Sequence, residues 1–163
     1  MIRVRRAELS DADAVRAIGL QTWPIAYGGL VADDFITDGL AQWWSREAVE
    51  RGIANGITLV AAEDGDIGDI VGMTGLGRQD DFWVMWKLYV LPGHQGKGVG
   101  KALLDGAVAA LPDGTPELLL DVLAANDKAI GFYRSQGFGE PRRVPDRELG
   151  DDLIWMSLDL DRT

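Results

Sequence analysis

Apolar and polar side chains alternate from Ile2 to Arg6, the period-two mark of a half-buried strand at a sheet edge. Ser10, with Asp13 three positions later, resembles the cap of a helix running towards Tyr27. Apolar residues at Phe35, Leu40, Trp43, Trp44 and Val49 then predict one second helix, stopping near Gly52 to Gly56. Three strand-like runs follow, ITLVAAED, IVGMTGLG and FWVMWKLYV. The turn-rich stretches GDIGD and RQDD separate them and predict an antiparallel meander. Beyond Val90 the period changes: a glycine loop, a helix from about Gly98 to Ala110, a strand at LLLDV, a helix from about Asn126 to Ser135, and two final strands. Strand, loop, helix, strand is a parallel crossover, so the expected architecture is α+β in an α/β-like, three-layer style, a mixed sheet flanked by helices.

The 163 residues suit one domain spanning 1–163, with a core large enough to need no staple. The chain has no cysteine, which removes disulfides, thiolate metal sites and a cysteine nucleophile, and makes a reducing, cytoplasmic setting the expectation. Its first residues lack a signal-peptide apolar stretch, and no run approaches the roughly 18 apolar residues of a membrane span, so no membrane partner is expected. A net charge of −10 argues against nucleic acid bound through a basic face. That charge is uneven. Between Asp81 and Asp105 there is no acid, while Lys87, Lys97 and Lys101 fall in the interval, which suits an anionic ligand.

The anion site has an obvious candidate in HQGKGVGK, residues 94–101. Glycines on alternate positions before a helix can turn several backbone N–H groups outward together, and the helix adds its positive end, so the segment reads as a phosphate or pyrophosphate cradle. The bland alternative is a flexible turn. A Walker A loop fails at both ends, because Gln95 stands where the first glycine belongs and Ala102 where the magnesium-binding hydroxyl belongs. A dinucleotide fingerprint should follow the first strand of a βαβ unit, and here four strands precede the loop.

LYVLPGHQGKGVGKALL resembles the core motif of the GCN5-related N-acetyltransferases (GNAT family), Gln/Arg-x-x-Gly-x-Gly/Ala, through Gln95, Gly98 and Gly100. NDKAIGFYRSQGF is similar to that family's second motif through Asn126, Ala129, Phe132, Tyr133, Gly137 and Phe138. The motifs cover about Lys87 to Phe138, and the order of elements agrees over most of the chain. The resemblance implies a mostly antiparallel mixed sheet with a splayed central strand pair and acetyl-coenzyme A as cosubstrate. By the same resemblance, Leu88, Tyr89 and Val90 line the pantetheine arm, and the loop Gly96, Lys97, Gly98, Val99, Gly100 and Lys101 holds the pyrophosphate. Gln95 shapes the way in, and Asn126 bonds the pantetheine or the adjoining loop. Dimerisation is common in such families, and no residue of this chain decides it.

An amine attacking a thioester needs to be neutral, and it needs a donor for the oxyanion and a proton for the departing thiolate. A backbone N–H at the splay, that of Val90, suits the oxyanion. Tyr133 suits the thiolate, since a phenol with reference pKa of about 10 stays protonated at neutral pH; as a lone tyrosine it would read simply as a core aromatic beside Ala129 and Phe132. Asp121, a charge on the apolar strand LLLDV, is by the resemblance the candidate base, since it lies where the family's ribosomal-protein N-terminal acetyltransferases carry a glutamate proposed as base; a water chain is its rival, and an ion pair or a solvated strand end the structural reading. Lys87 is expected to pair with Asp121 across neighbouring strands. Trp23 and Tyr27, with Asp33 and Asp34, form an expected aromatic and acidic wall suited to a cationic amine. Trp43, Trp44, Trp83 and Trp155 are expected in the core or an interface, and His94 as an exposed loop residue or an adenine-side contact, not a catalyst. One histidine without cysteine leaves no catalytic zinc site in prospect. The expected activity is direct acetyl transfer from acetyl-coenzyme A to a primary amine of a small molecule or peptide. A non-catalytic acyl-coenzyme A sensor is the alternative.

Overall fold

The computed structural model describes residues 1–63, 69–146 and 151–160. The expected turn GDIGD lies, except for its last residue, outside that range. The strands are β1 (Ile2–Arg6), β2 (Ile57–Glu63), β3 (Ile70–Gln79), β4 (Phe82–Val90), β5 (Glu117–Leu123), β6 (Gly139–Asp146) and β7 (Asp151–Asp159). The helices are α1 (Ala12–Tyr27), α2 (Asp33–Trp43), α3 (Arg46–Asn55), α4 (Val99–Ala110) and α5 (Asp127–Ser135). The described strands form one sheet in the order β1-β2-β3-β4-β5-β7-β6, antiparallel at every step except β4 to β5.

Helices cover both faces, as the near-continuous apolar run of β2 requires, since a strand buried on both sides cannot alternate with polar residues. On one face Leu103, Leu104 and Ala107 of α4 and Ile130 of α5 pack with Leu59, Leu118 and Leu120. On the other, Val15 and Ile18 of α1, Val49 of α3 and the fully buried Trp44 pack with Val60 and Met73. The three-layer expectation holds.

Two local expectations do not. The single second helix is two, α2 and α3, broken at Trp44, because the Ser45 hydroxyl caps α3 by accepting from the Ala48 N–H at 3.2 Å. Ser10 caps nothing; it lies in a 3-10 turn, Leu9–Asp11, closed by the Asp11 carboxylate. That group accepts the Glu8 N–H at 2.8 Å and both terminal nitrogens of Arg5 at 2.8 and 3.0 Å. A carboxylate reached by an arginine of β1 offers stronger bonds than a serine hydroxyl, and the helix start follows it.

The functional consequence of the topology is at β4. It pairs with β5 only through Trp83↔Leu118 and Val84↔Leu119. Just beyond, its register against β3 shifts so that Leu76 faces Met85 and Gly75 faces Lys87, leaving Trp86 as an extra residue. Such a bulge bends its strand, and β4 turns away from β5 where the bulge sits. The splay is thus written into one residue.

Candidate active site

Leu91 N–H donates to the Val71 carbonyl at 2.9 Å, so at that position β4 bonds towards β3. Gln95 Nε2 donates to the Val90 carbonyl at 3.2 Å, from the opposite side. Backbone groups alternate along a strand, and Leu88 and Val90 therefore present theirs to the gap that β5 has left. The gap opens into a cavity of about 550 Å³ lined by Leu88, Tyr89, Val90, Gln95, Asn126 and Tyr133, among others, and by the glycine loop.

Gly96 and Gly98 adopt φ of 78° and 82°, and a Cβ at either would meet nothing within 4 Å. The demand for glycine there is conformational, not steric: only glycine takes the left-handed region without cost. Gly98 caps α4, whose first N–H groups have no partner earlier in the helix, and the helix dipole puts positive potential at that end. Gly100 and Lys101 line the cavity, and Lys101 is exposed, 2.7 Å from Asp105. Val99 also faces the cavity but is buried with Leu103 in the core. Lys97 does not line it; it is exposed on the loop between the two left-handed glycines. Gln95 Oε1 accepts from Lys128 Nζ at 3.2 Å, which ties the loop to α5, and Asn126 caps α5 by accepting the Ala129 N–H at 3.2 Å. His94 bonds Glu63 of β2 at 2.7 Å, and this partner holds the Glu63 carboxyl below its usual range.

A second cavity, of about 910 Å³, lies on the α1–α3 face. Trp23, Tyr27, Phe35 and Trp43 form its aromatic wall, with the Trp23 ring centroid 4.7 Å from Tyr27, 6.0 Å from Phe35 and 5.6 Å from Trp43. Tyr27, Trp86, Tyr89 and Asp121 line both cavities and mark where they meet. Burial raises the Tyr133 phenol well above its ordinary pKa, and the nearby Tyr27 and Asp121 push it the same way. Tyr27 and Tyr89 are raised too, chiefly by burial.

Three expectations about this chamber are corrected. Lys87 does not pair with Asp121: its ammonium donates to the Trp43 carbonyl at 2.7 Å and lies 4.0 Å above the Trp44 ring. Burial lowers its pKa to about 8, against the pull of that carbonyl and ring, both of which favour the charged form. The wall is not acidic: Asp33 and Asp34 sit exposed in the first turn of α2, outside the lining, and the chamber receives Arg51, Arg78 and Lys87 instead. Of the tryptophans expected in the core or an interface, Trp44 is buried and Trp83 packs against the core while lining the chamber, but Trp43 is exposed at the chamber wall. The arginines come from α3 and the far end of β3, and no local pattern marks them.

The family model described as the acetyltransferase (GNAT) family matches residues 21–138. The chain belongs to that family. An uncharacterized N-acetyltransferase of Mycobacterium tuberculosis is 32% identical over 132 residues, covering 80% of this chain and 84% of the relative. Among solved structures, the PaiA N-acetyltransferase of Thermoplasma acidophilum in complex with coenzyme A superposes with a TM-score of 0.83 at 22% identity, covering 98% of this chain and 99% of that one. YncA of Salmonella typhimurium, determined with its cofactor acetyl-coenzyme A, superposes at 0.70 with 24% identity, covering 100% and 96%. Those two likenesses establish a GNAT fold, and the family makes this chain an acyltransferase with acetyl-coenzyme A as its cosubstrate. Among the described residues no group of histidine and acidic side chains could hold a metal ion, and no helix is long and apolar enough to cross a membrane.

Proposed function

We propose that the protein transfers an acetyl group directly from acetyl-coenzyme A to a primary amine of a small molecule or peptide in the cytoplasm. The observation that carries this reading is the meeting of the two cavities at Tyr27, Trp86, Tyr89 and Asp121, one leading to the glycine loop and the other into the aromatic chamber. Gly96, Gly98 and the first turn of α4 suit the pyrophosphate, and the unpaired edge of β4 at Leu88 and Val90 suits the amides of the pantetheine arm.

The cosubstrate supplies an activated thioester, and the protein supplies proton traffic and positioning. The Val90 N–H, released by the splay, is the donor for the carbonyl oxygen as it gains charge. Asp121, at the junction, takes the amine proton directly or through water as the C–N bond forms. When the C–S bond breaks, Tyr133 gives its proton to the sulfur; burial keeps that phenol protonated, so it is available as an acid throughout the neutral range. Solvent then returns one proton to Tyr133 and removes one from Asp121.

Calorimetric titration with acetyl-coenzyme A, coenzyme A and ATP tests the cradle. Micromolar binding of the two coenzymes, none of ATP, and loss of binding in Gly98→Asp are expected. Absence of acetyl-coenzyme A binding by the wild type defeats the reading. Binding without thiol release across an amine panel turns it into the sensor.

A further inference from the structure

The aromatic chamber carries more positive charge than an amine acceptor needs. In a chain of net charge −10, its lining holds three cationic side chains, Arg51, Arg78 and Lys87, and one acid, Asp121. Lys87 is engaged by the Trp43 carbonyl. Arg51 and Arg78 have no hydrogen-bond or ion-pair partner among the described residues, although Asp80 and Asp81 follow Arg78 at the β3–β4 turn. Among the described residues, Arg5 is satisfied by Asp11, and Arg46 by Asp13 and Glu50. Two unengaged guanidinium groups from different elements, facing one chamber, make a fork for a carboxylate or phosphate.

Resting on the acetyl-transfer reading, we propose that the acceptor is a primary amine with an aromatic or apolar body that also carries an anionic group, a carboxylate or a phosphate, bound by Arg51 and Arg78. The sheet sets its span. Arg78 pairs opposite Trp83, which is level with Leu118, three residues before Asp121 on β5. Three strand residues along and two strand spacings across put the Cα atoms of Arg78 and Asp121 on the order of 14 Å apart. The amine lies at the Asp121 end, where the coenzyme cavity opens, and the anion at the arginine end. The aromatic wall between them accounts for the body. An anion held there would also be drawn in by the local potential despite the negative charge of the whole chain.

The test uses matched amines: para-(aminomethyl)benzoate against benzylamine, and O-phosphotyramine against tyramine. Acetylation is followed by thiol release, and binding by calorimetry with coenzyme A present. The expected wild-type result is a kcat/KM at least tenfold higher for one acid-bearing member of a pair than for its neutral partner, and the pair that shows it tells carboxylate from phosphate. That preference falls at least tenfold in Arg51→Gln and in Arg78→Gln, is partly kept in Arg78→Lys, and persists in Arg46→Gln, an exposed arginine outside the chamber. Equal kcat/KM within both pairs, or a preference untouched by both glutamine variants, overturns the proposal. If acetyl-coenzyme A binds and no amine turns over, acetyl transfer has failed, and the calorimetric arm still decides the anion site: tighter binding of the acid-bearing amines, lost in the arginine variants, upholds it, and equal binding refutes it.

Discussion

Trp23 Nε1 donates to Tyr89 Oη at 3.0 Å, joining α1 to β4 at the wall the two cavities share. The Tyr27 hydroxyl lies 3.5 Å from the same oxygen, so two aromatic side chains of α1 converge on one phenol of the sheet. Tyr89 is also edge-on to the Trp44 ring, at 5.6 Å between centroids. The acceptor wall is therefore held to the strand that lines the coenzyme cavity, and a disturbance in one reaches the other.

Tyr89→Phe leaves the buried Trp23 indole N–H without its partner, at an expected cost of about 1–3 kcal/mol in stability. Trp23→Phe removes the donor, and the double variant should lose less than the sum of the two. A coupling near zero in urea unfolding would mean that the bond contributes nothing. In kinetics, Tyr89→Phe should raise the KM of the amine more than that of acetyl-coenzyme A, because the wall it loosens belongs to the chamber.

Tyr133→Phe keeps the ring contacts with Phe132 and Phe138, at 5.5 and 5.6 Å, and removes only the acid. A kcat lowered about 100-fold is expected, with acetyl-coenzyme A affinity little changed. Burial holds this phenol above its ordinary pKa of 10.0, so Tyr133 should give no basic limb to the kcat profile below about pH 10. An unaltered kcat in the phenylalanine variant, with thiol release measured directly, would assign the leaving-group proton elsewhere.

The glycine loop before α4 was legible in the sequence because its requirement is local: Gly96 and Gly98 answer a backbone conformation, whereas Asn126, expected on the pantetheine or the adjoining loop, caps α5. The acceptor side was not. Asp33 and Asp34 stand beside aromatic residues in the chain but at the exposed start of α2, whereas Arg51 and Arg78, 27 positions apart in sequence, share a chamber only because α3 packs against the sheet. The break between α2 and α3 was hidden by apolar residues that keep a helical spacing across it, although Ser45 carried the signal. Lys87 illustrates the limit of charge arithmetic: an acid on the neighbouring strand was the natural partner on paper, and a carbonyl and an indole face took its place.

That placement makes stability depend on pH in a direction opposite to that of an ordinary ion pair. The Lys87 pKa is about 8 in the folded protein against 10.5 for an exposed lysine. Between those values the unfolded chain binds more protons than the folded one, so stability should rise with pH across that window and be lower below it. The rise should be on the order of 2 kcal/mol, reduced from the full shift by solvent at the chamber mouth. Tyr27, Tyr89 and Tyr133 act the other way: their raised values mean that the unfolded chain ionises first above pH 10, and stability then falls. Lys87→Met removes the first contribution and leaves the second. Urea midpoints measured from pH 7 to pH 10 should climb in the wild type relative to the methionine variant and converge with its trend above that. Parallel profiles would show that the ammonium is hydrated and that burial does not lower its pKa.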